Sequence, residues 1–378
     1  MRLRVLSACF LVGAGLVVPQ SAAVAAPRAA AVVKQDIGTL GGDSSWPADV
    51  SNSGFIAGYS STADGFTHAF RWRDGVMTDL GALGEASFAA AVNERGDVAG
   101  TNAYGDATVR PFLWRDGVMT DLVSVVGVVT SVQGLNERGE VIGARATDFS
   151  GESWRAFRWR NGIATDLPGR GGSTSASDIN DLGDIVGSTT SADGTGREAA
   201  LWRGGRLIRL RPRSGAEASA TAINNRGQII GTMRVPGSGW HAFLWQAGVF
   251  TDLGTLGGTD SNAVGINERG QVAGNAETSA VRVPVRWERG TVTDLGTLGG
   301  RYGYALAING PGHVLGMVDS EDGRHGVIWT HDAFVDLGPL DVPASGGSVQ
   351  YLTDSGRVVG TTAVEYGGVH TAIWETGL

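Results

Sequence analysis

Cysteine is almost missing from these 378 residues: Cys9 is the only one, and it lies in a leader-like first segment. The rest of the chain is therefore predicted to carry neither disulfide nor thiol chemistry. A disulfide-free chain of this size has to be held by its core and its topology. Lysine is as scarce, Lys34 standing alone among 30 basic residues. Acidic residues outnumber basic ones, 38 to 30, for a net charge of −8. That balance argues against a nucleic-acid partner. No window places apolar residues at i, i+3, i+4 and i+7, which excludes a helical repeat. There is no G-x-S-x-G elbow, H-E-x-x-H helix, phosphate-binding loop, EF-hand-like acidic loop or sialidase-type Asp box. The residues thus give little sign of an enzyme, no metal site and no cofactor.

Residues 1–25 read as a secretory signal. Arg2 and Arg4 supply the positive start, residues 5–18 the apolar stretch, and AVA at 23–25 a small-residue cleavage site. The stretch is too short for a comfortable membrane span. LSAC at 6–9 matches a lipoprotein cleavage site only superficially, since almost no apolar region precedes Cys9. Cleavage before Ala26 removes Arg2, Arg4 and no acid, moving the net charge from −8 to −10. No second apolar stretch follows. The expectation is a released, extracellular, monomeric product without a transmembrane anchor.

What the chain has in abundance is glycine, 60 residues, and it falls in register with a repeat. Trp recurs at Trp72, Trp114, Trp159, Trp202, Trp245, Trp287, Trp329 and Trp374. Seven residues after the first seven stand Asp79, Asp121, Asp166, Arg209, Asp252, Asp294 and Asp336. A polar turn residue recurs at Ser51, Asn93, Asn136, Asn180, Asn224, Asn267, Asn309 and Thr353, at intervals of 42 to 44. Gly follows each of them three and seven residues on. A fixed period in the forties signals a solenoid or a propeller.

The copy at 241–287 shows four strand-like runs per repeat. Run a is SNAVGI at 261–266, followed by the turn NERG at 267–270. Asn at the first turn position accepts a backbone bond and Gly at the fourth takes the left-handed conformation, which closes an a–b hairpin. Run b is QVAG at 271–274, and its last Gly marks a bulge or a close backbone approach. Run c is HAFLW at 241–245 and run d is FTDL at 250–253; the link TLGG leads to the next repeat. Four hairpin-linked strands in about 43 residues make one propeller blade. Each buried Trp of run c removes ~150–250 Å² from water, roughly 4–6 kcal/mol before entropy is subtracted.

The two ends complete the count. VVKQDIG at 32–38 is a run d with no a, b or c before it, and TAIWETGL at 371–378 is a run c with no d after it. The expectation is an all-β, eight-bladed β-propeller of four-stranded blades over residues 26–378. Its last blade is closed by the N-terminal strand, which leaves no free sheet edge.

HAF-x-W followed by TDLGTLGG and A-x-x-IN-x-x-G-x-V-x-G resembles the HAF-repeat family of extracellular bacterial repeats, over residues 33–378. HAF itself stands at 68–70 and 241–243, and TLGG is intact at 39–42, 255–258 and 297–300. The resemblance implies secretion and a β-rich repeat structure, and it carries no catalytic residues.

The recurrent Asp reads as a turn cap. His68, His241, His325 and His370, which begin run c, read as structural or surface residues, because no short ligand spacing joins them. Function is better sought where the repeat breaks its pattern. The spacing from Trp to Asp is fixed, whereas that from the turn residue to Trp varies between 20 and 23. The variable face is therefore the one built from b–c loops and d–a links, where binding residues concentrate. Unshared aromatics assigned to it are Trp46, Phe88, Tyr104, Phe149, Trp154, Trp240, Tyr302, Tyr304 and Tyr366. Carboxylates such as Asp64, Asp106, Asp193 and Asp322 stand nearby in sequence. The fourth repeat departs most, with Arg206, Arg209, Arg211 and Arg213 in place of TDLGTLGG; these residues form an anion site or a solvated edge. The expectation is a secreted binding or scaffold module for a glycan, peptide or protein. The alternatives are a polysaccharide hydrolase or lyase using loop carboxylates, and a purely structural surface protein.

Overall fold

The computed structural model describes residues 32–122, 130–146, 153–340, 347–364 and 367–378. Residues 1–31, which include the expected leader, lie outside the described residues. Those described form 32 β-strands and no α-helix, from β1 (Val33–Asp36) to β32 (Val369–Glu375). Consecutive strands pair antiparallel into four-stranded meanders. Six sheets have four strands each; a seventh holds eight, as two meanders joined at the single parallel pair Thr67↔Ala86.

The meander built from residues 257–294 shows why the repeat folds this way. Asn267 opens the a–b turn: its Oδ1 accepts from the N–H groups of Arg269 and Gln271, 3.0 Å each, and Gly270 follows at φ +78°. Only glycine adopts that conformation cheaply. The second repeat glycine answers a different demand. A Cβ on Gly274 would lie 2.0 Å from the Asn262 carbonyl and 2.7 Å from the Trp287 ring. The bulge itself is on the facing strand, between Ala263 and Gly265. The structure extends run a beyond its expected start, to Gly257–Ile266, because a further register shift between Gly257 and Ser261 draws the paired glycines of the link into the sheet.

Both faces of a meander pack against neighbours, so each strand c is apolar on both sides. Phe70, Phe112, Phe157 and Phe243 are fully buried, as are Trp202 and Trp374. Buried clusters combine residues of successive repeats; one joins Val186 and Leu201 to Ile229 and Phe243.

Polar contacts tie the repeats together on the turn face. The Nδ2 of each turn Asn donates to the backbone carbonyl of the equivalent residue one repeat on: Asn93 to Asn136 at 3.4 Å, and Asn136 to Asn180, Asn180 to Asn224, Asn224 to Asn267, Asn267 to Asn309 and Asn309 to Thr353 at 3.0–3.1 Å. A second series runs beside it. The N–H of the next turn residue donates to the side chain one repeat on, as in Glu94 to Glu137, Asp181 to Asn225 and Gly310 to Asp354. The turn Asn amides of the first series are buried, where an unmade bond costs about 1–3 kcal/mol; the second series is exposed.

The first and last repeats make the same contacts with each other. β1 pairs antiparallel with β32, Val33↔Glu375 through Asp36↔Ala372. Lys34 Nζ donates to Thr362 Oγ1 at 2.6 Å and sits 5.4 Å from the Trp374 ring centre. Elsewhere a serine of strand a accepts from a strand c N–H of the preceding repeat, as Ser87 does from Ala69 and Ser261 from Ala242. Ser45 accepts in the same way from Thr371, at 2.9 Å. Asp354 N–H donates to Asn52 Oδ1 at 2.8 Å, continuing the second turn-face series from the last repeat to the first.

Candidate functional site on the loop face

The residues opening strand c and closing strand d meet at the loop-face end of each sheet. Their pairing decides the local electrostatics. His68 Nδ1 bonds the Asp79 carboxylate at 3.0 Å, His325 Nδ1 bonds Asp336 at 2.9 Å, and His370 Nδ1 bonds Asp36 at 2.8 Å. The recurrent Asp also accepts from the N–H two residues on, as Asp79 does from Gly81 at 2.7 Å, so it is a turn cap as well as the imidazole's partner. In the fourth repeat the charges are exchanged. Glu198 takes the place of His and binds Arg209 at 2.5–2.7 Å and Arg211 at 2.9 Å, with Arg170 at 3.5 Å. Two of the arginines offered as an anion site are thus already held by one carboxylate.

The sheet containing β20 (Trp240–Gln246) and β21 (Val249–Asp252) adds a third member. His241 Nδ1 lies 2.9–3.0 Å from the Asp252 carboxylate, and its Nε2 lies 3.1 Å from Ser238 Oγ. Ser238 sits in the tight turn Val235–Ser238 of the b–c loop, closed by a 3.1 Å bond from its own N–H to the Val235 carbonyl. The hydroxyl is exposed, and its one proton has two acceptors in reach, His241 Nε2 at 3.1 Å and the Thr259 carbonyl, to which it can donate at 3.2 Å. The imidazole is buried, its side chain 11% exposed. Asp252 is fixed in turn by the Gly254 N–H at 2.8 Å. Beside the loop, Asp260 accepts from Trp240 N–H; its hydrogen bonds from Thr259 and Trp240 hold its carboxyl below the usual range.

Thr259 also forms a wall of an open hollow of about 620 Å³, lined further by Gly257, Gly258, Glu277, Arg282, Arg301 and Tyr302. Arg282 is bonded to Glu277 at 3.1 Å. Arg301 lies over Tyr302, 5.3 Å from the ring centre, and makes no ion pair among the described residues.

A second cavity, of about 300 Å³, lies where the first strands of four successive repeats converge, lined by Asp49, Ala91, Gly134 and Asp178 among others. Asp49 accepts from Val50 and from Val92 of the next repeat, both at 2.8 Å. Asp178 does the same with Ile179 and Ile223, at 2.8 and 2.9 Å. Both retain some surface towards the cavity, yet protein encloses them. Burial outweighs these bonds and raises Asp49 to about 7 and Asp178 to about 6.

The sequence-assigned aromatics do not converge on one spot. Trp46 stacks on Tyr59 at 5.4 Å, and Tyr59 meets Phe88 edge-on at 5.3 Å, but Trp46 and Phe88 belong to a-strands rather than to loops. Tyr304 is likewise in an a-strand, and Trp154 and Trp240 open c-strands. Tyr104 lies in a b–c loop, where its hydroxyl donates to Asp121 at 3.1 Å under Arg110. Tyr302 alone of the set lines the large hollow. Phe149 and Tyr366 lie outside the described residues.

No family model matches the chain, and no curated protein proves similar to it. Solved structures do. Porphyromonas gingivalis dipeptidyl peptidase 4 superposes with a TM-score of 0.58 at 9% identity, over 87% of this chain and 56% of its own. A prolyl endopeptidase gives 0.55 at 10%, over 86% and 55%. The β-propeller domain of the Trilobed protease from Pyrococcus furiosus gives 0.51 at 10%, over 79% and 99%, and is described as having an open velcro topology. The fold is a β-propeller. The chain spans about half the length of the two full peptidases. The expectation of a secreted binding or scaffold module is corrected here: the similar architectures belong to peptidases, and at this identity they establish the fold only. They lend nothing to a polysaccharide enzyme or a purely structural role.

Proposed function

We propose that this chain is itself a protease-like enzyme built on a propeller. The observation that carries the reading is the likeness of this chain, over most of its length, to solved peptidases, among them a protease's β-propeller domain. The hollow beside Ser238 supports it, being large enough for a few residues of an extended peptide and open at the loop face. The test is incubation of the purified chain with a fluorogenic peptide library, products being read by mass spectrometry. Cleavage at defined bonds supports the reading; a library left intact at all pH values between 5 and 9 overturns it.

We infer that the frame is a closed ring of eight blades. Eight four-stranded meanders, the β1–β32 pairing and the bonds from Thr371 to Ser45 and from Asp354 to Asn52 support this. Membership of the HAF-repeat proteins is proposed on HAF-x-W and TDLGTLGG, and export on the Arg2–Ala25 leader pattern. Mass spectrometry of the culture medium tests export; an intracellular chain still bearing its leader speaks against it.

A further inference from the structure

We propose that Ser238, His241 and Asp252 form a nucleophilic triad that cleaves acyl bonds, resting on the protease-like reading and naming its site. His–Asp pairs recur in this fold, so the pair alone is a structural clamp between strands c and d. What sets this sheet apart is the third member. Three residues before the other clamped histidines stand Gly65, Asp322 and Gly367. Asp322 approaches His325 Nε2 at 3.0 Å, but a carboxylate there fixes a proton on the ring and supplies no nucleophile. Only Ser238 brings a hydroxyl to the free nitrogen of a clamped imidazole among the described residues.

The order of contacts suits the chemistry. Asp252 at Nδ1 favours the tautomer that carries its proton there, which leaves the Nε2 lone pair facing Ser238 Oγ. As Oγ bonds to the substrate's carbonyl carbon, its proton passes to Nε2 and the imidazolium is stabilised by Asp252. The tetrahedral species collapses by breaking the bond to the leaving nitrogen or oxygen, which takes that proton. Water then attacks the acyl-serine by the same route, giving the acid and restoring the hydroxyl. The N–H groups of Gly237 and Gly239, either side of Ser238, make no hydrogen bond among the described residues and are the donors available to an oxyanion. The Asp260 carboxylate lies against Gly239, its Oδ1 2.5 Å from where a Cβ would stand there, so Gly237 N–H is the donor that an adjacent negative charge does not oppose from that position.

The hollow names the substrate class. It shares Thr259 with the triad, and its cation without an ion-pair partner among the described residues is Arg301, set over Tyr302. An acyl compound with an acidic group close to the scissile bond fits it best, the guanidinium taking the carboxylate.

The test uses a fluorophosphonate probe on the full chain, with the modified residue located by peptide mass spectrometry. Labelling of Ser238 is expected, lost at least 100-fold in Ser238→Ala and in His241→Ala and slowed at least tenfold in Asp252→Asn. His325→Ala, which breaks an equivalent clamp, should label at the wild-type rate. Because Ser238 is exposed, Ser238→Ala should keep the wild-type melting temperature. Arg301→Ala should raise KM for a succinylated peptide anilide at least tenfold with little change in kcat. A folded wild-type chain that takes no label, or label that persists in Ser238→Ala, overturns the triad. Peptide cleavage surviving in Ser238→Ala overturns it while sparing the protease-like reading; Ser238 labelling with no peptide cleaved does the reverse.

Discussion

Asp49 and Asp178 are the residues most at odds with their surroundings. Each holds two backbone N–H groups of adjacent repeats, a role a carboxylate performs best when ionised, yet burial raises both pKa values. The groups that bear on Asp49 are Asp178, Glu94 and the hydroxyl of Tyr351, itself pushed up to about 12. A carboxyl raised from 3.8 to about 7 binds a proton more tightly in the folded chain than in the unfolded one. Its contribution therefore favours folding fully below pH ~4 and is lost as pH rises through about 7. Asp49→Asn cannot titrate. Relative to wild type, its melting temperature should be higher at pH 8 than at pH 5 by several degrees, whatever its offset from the lost acceptor. Parallel melting curves across that range would show the carboxyl is not raised.

At the scale of the strand, much of the blade was legible from spacing. The polar turn residue and its Gly, the Trp of strand c and the fixed interval to strand d are local demands that recur from repeat to repeat. Spacing alone does not place the link glycines in the sheet, because their pairing depends on the register shift between Gly257 and Ser261. The His–Asp clamp does leave a mark in the sequence, since His68 and Asp79, His241 and Asp252, and His325 and Asp336 all stand eleven residues apart. Glu198 and Arg209 keep that interval with charges exchanged, a compensation visible within one chain. Ser238 carried no such signal, since only the loop's path brings its hydroxyl to the ring. The exchanged pair offers a test. Glu198→His alone sets imidazole among Arg170, Arg209 and Arg211 and should cost about 1 kcal/mol, little because the partners are partly exposed. Adding Arg209→Asp rebuilds the clamp of the other sheets and should recover most of that loss. A double-mutant cycle in urea with no coupling between the two positions would mean that the clamp does not stabilise the sheet.

For the whole molecule, the question is how a chain without disulfides keeps its last sheet from peeling away. The junction answers with the same devices used between other repeats, plus one of its own. β1 supplies the fourth strand to the sheet ending at β32, Ile37 N–H donates to the Thr371 carbonyl at 3.1 Å, and the lone lysine is spent on this seam. Ile37 and Leu40 pack with Phe70, Trp72 and Ile373, a cluster that belongs to both the first and last repeats. Removing residues 26–40 should therefore expose the edge of β32 and open that cluster together. The expected result is a melting temperature lower by at least ~5 °C and a second, earlier transition as the last sheet frays. Restoring the segment as a separate peptide should return part of the loss in a concentration-dependent way, since it would bind only the folded seam. A deletion variant that melts as the full chain does, with no response to the peptide, would mean that the first and last repeats are held together by their turn-face bonds alone and that β1 is dispensable to that junction.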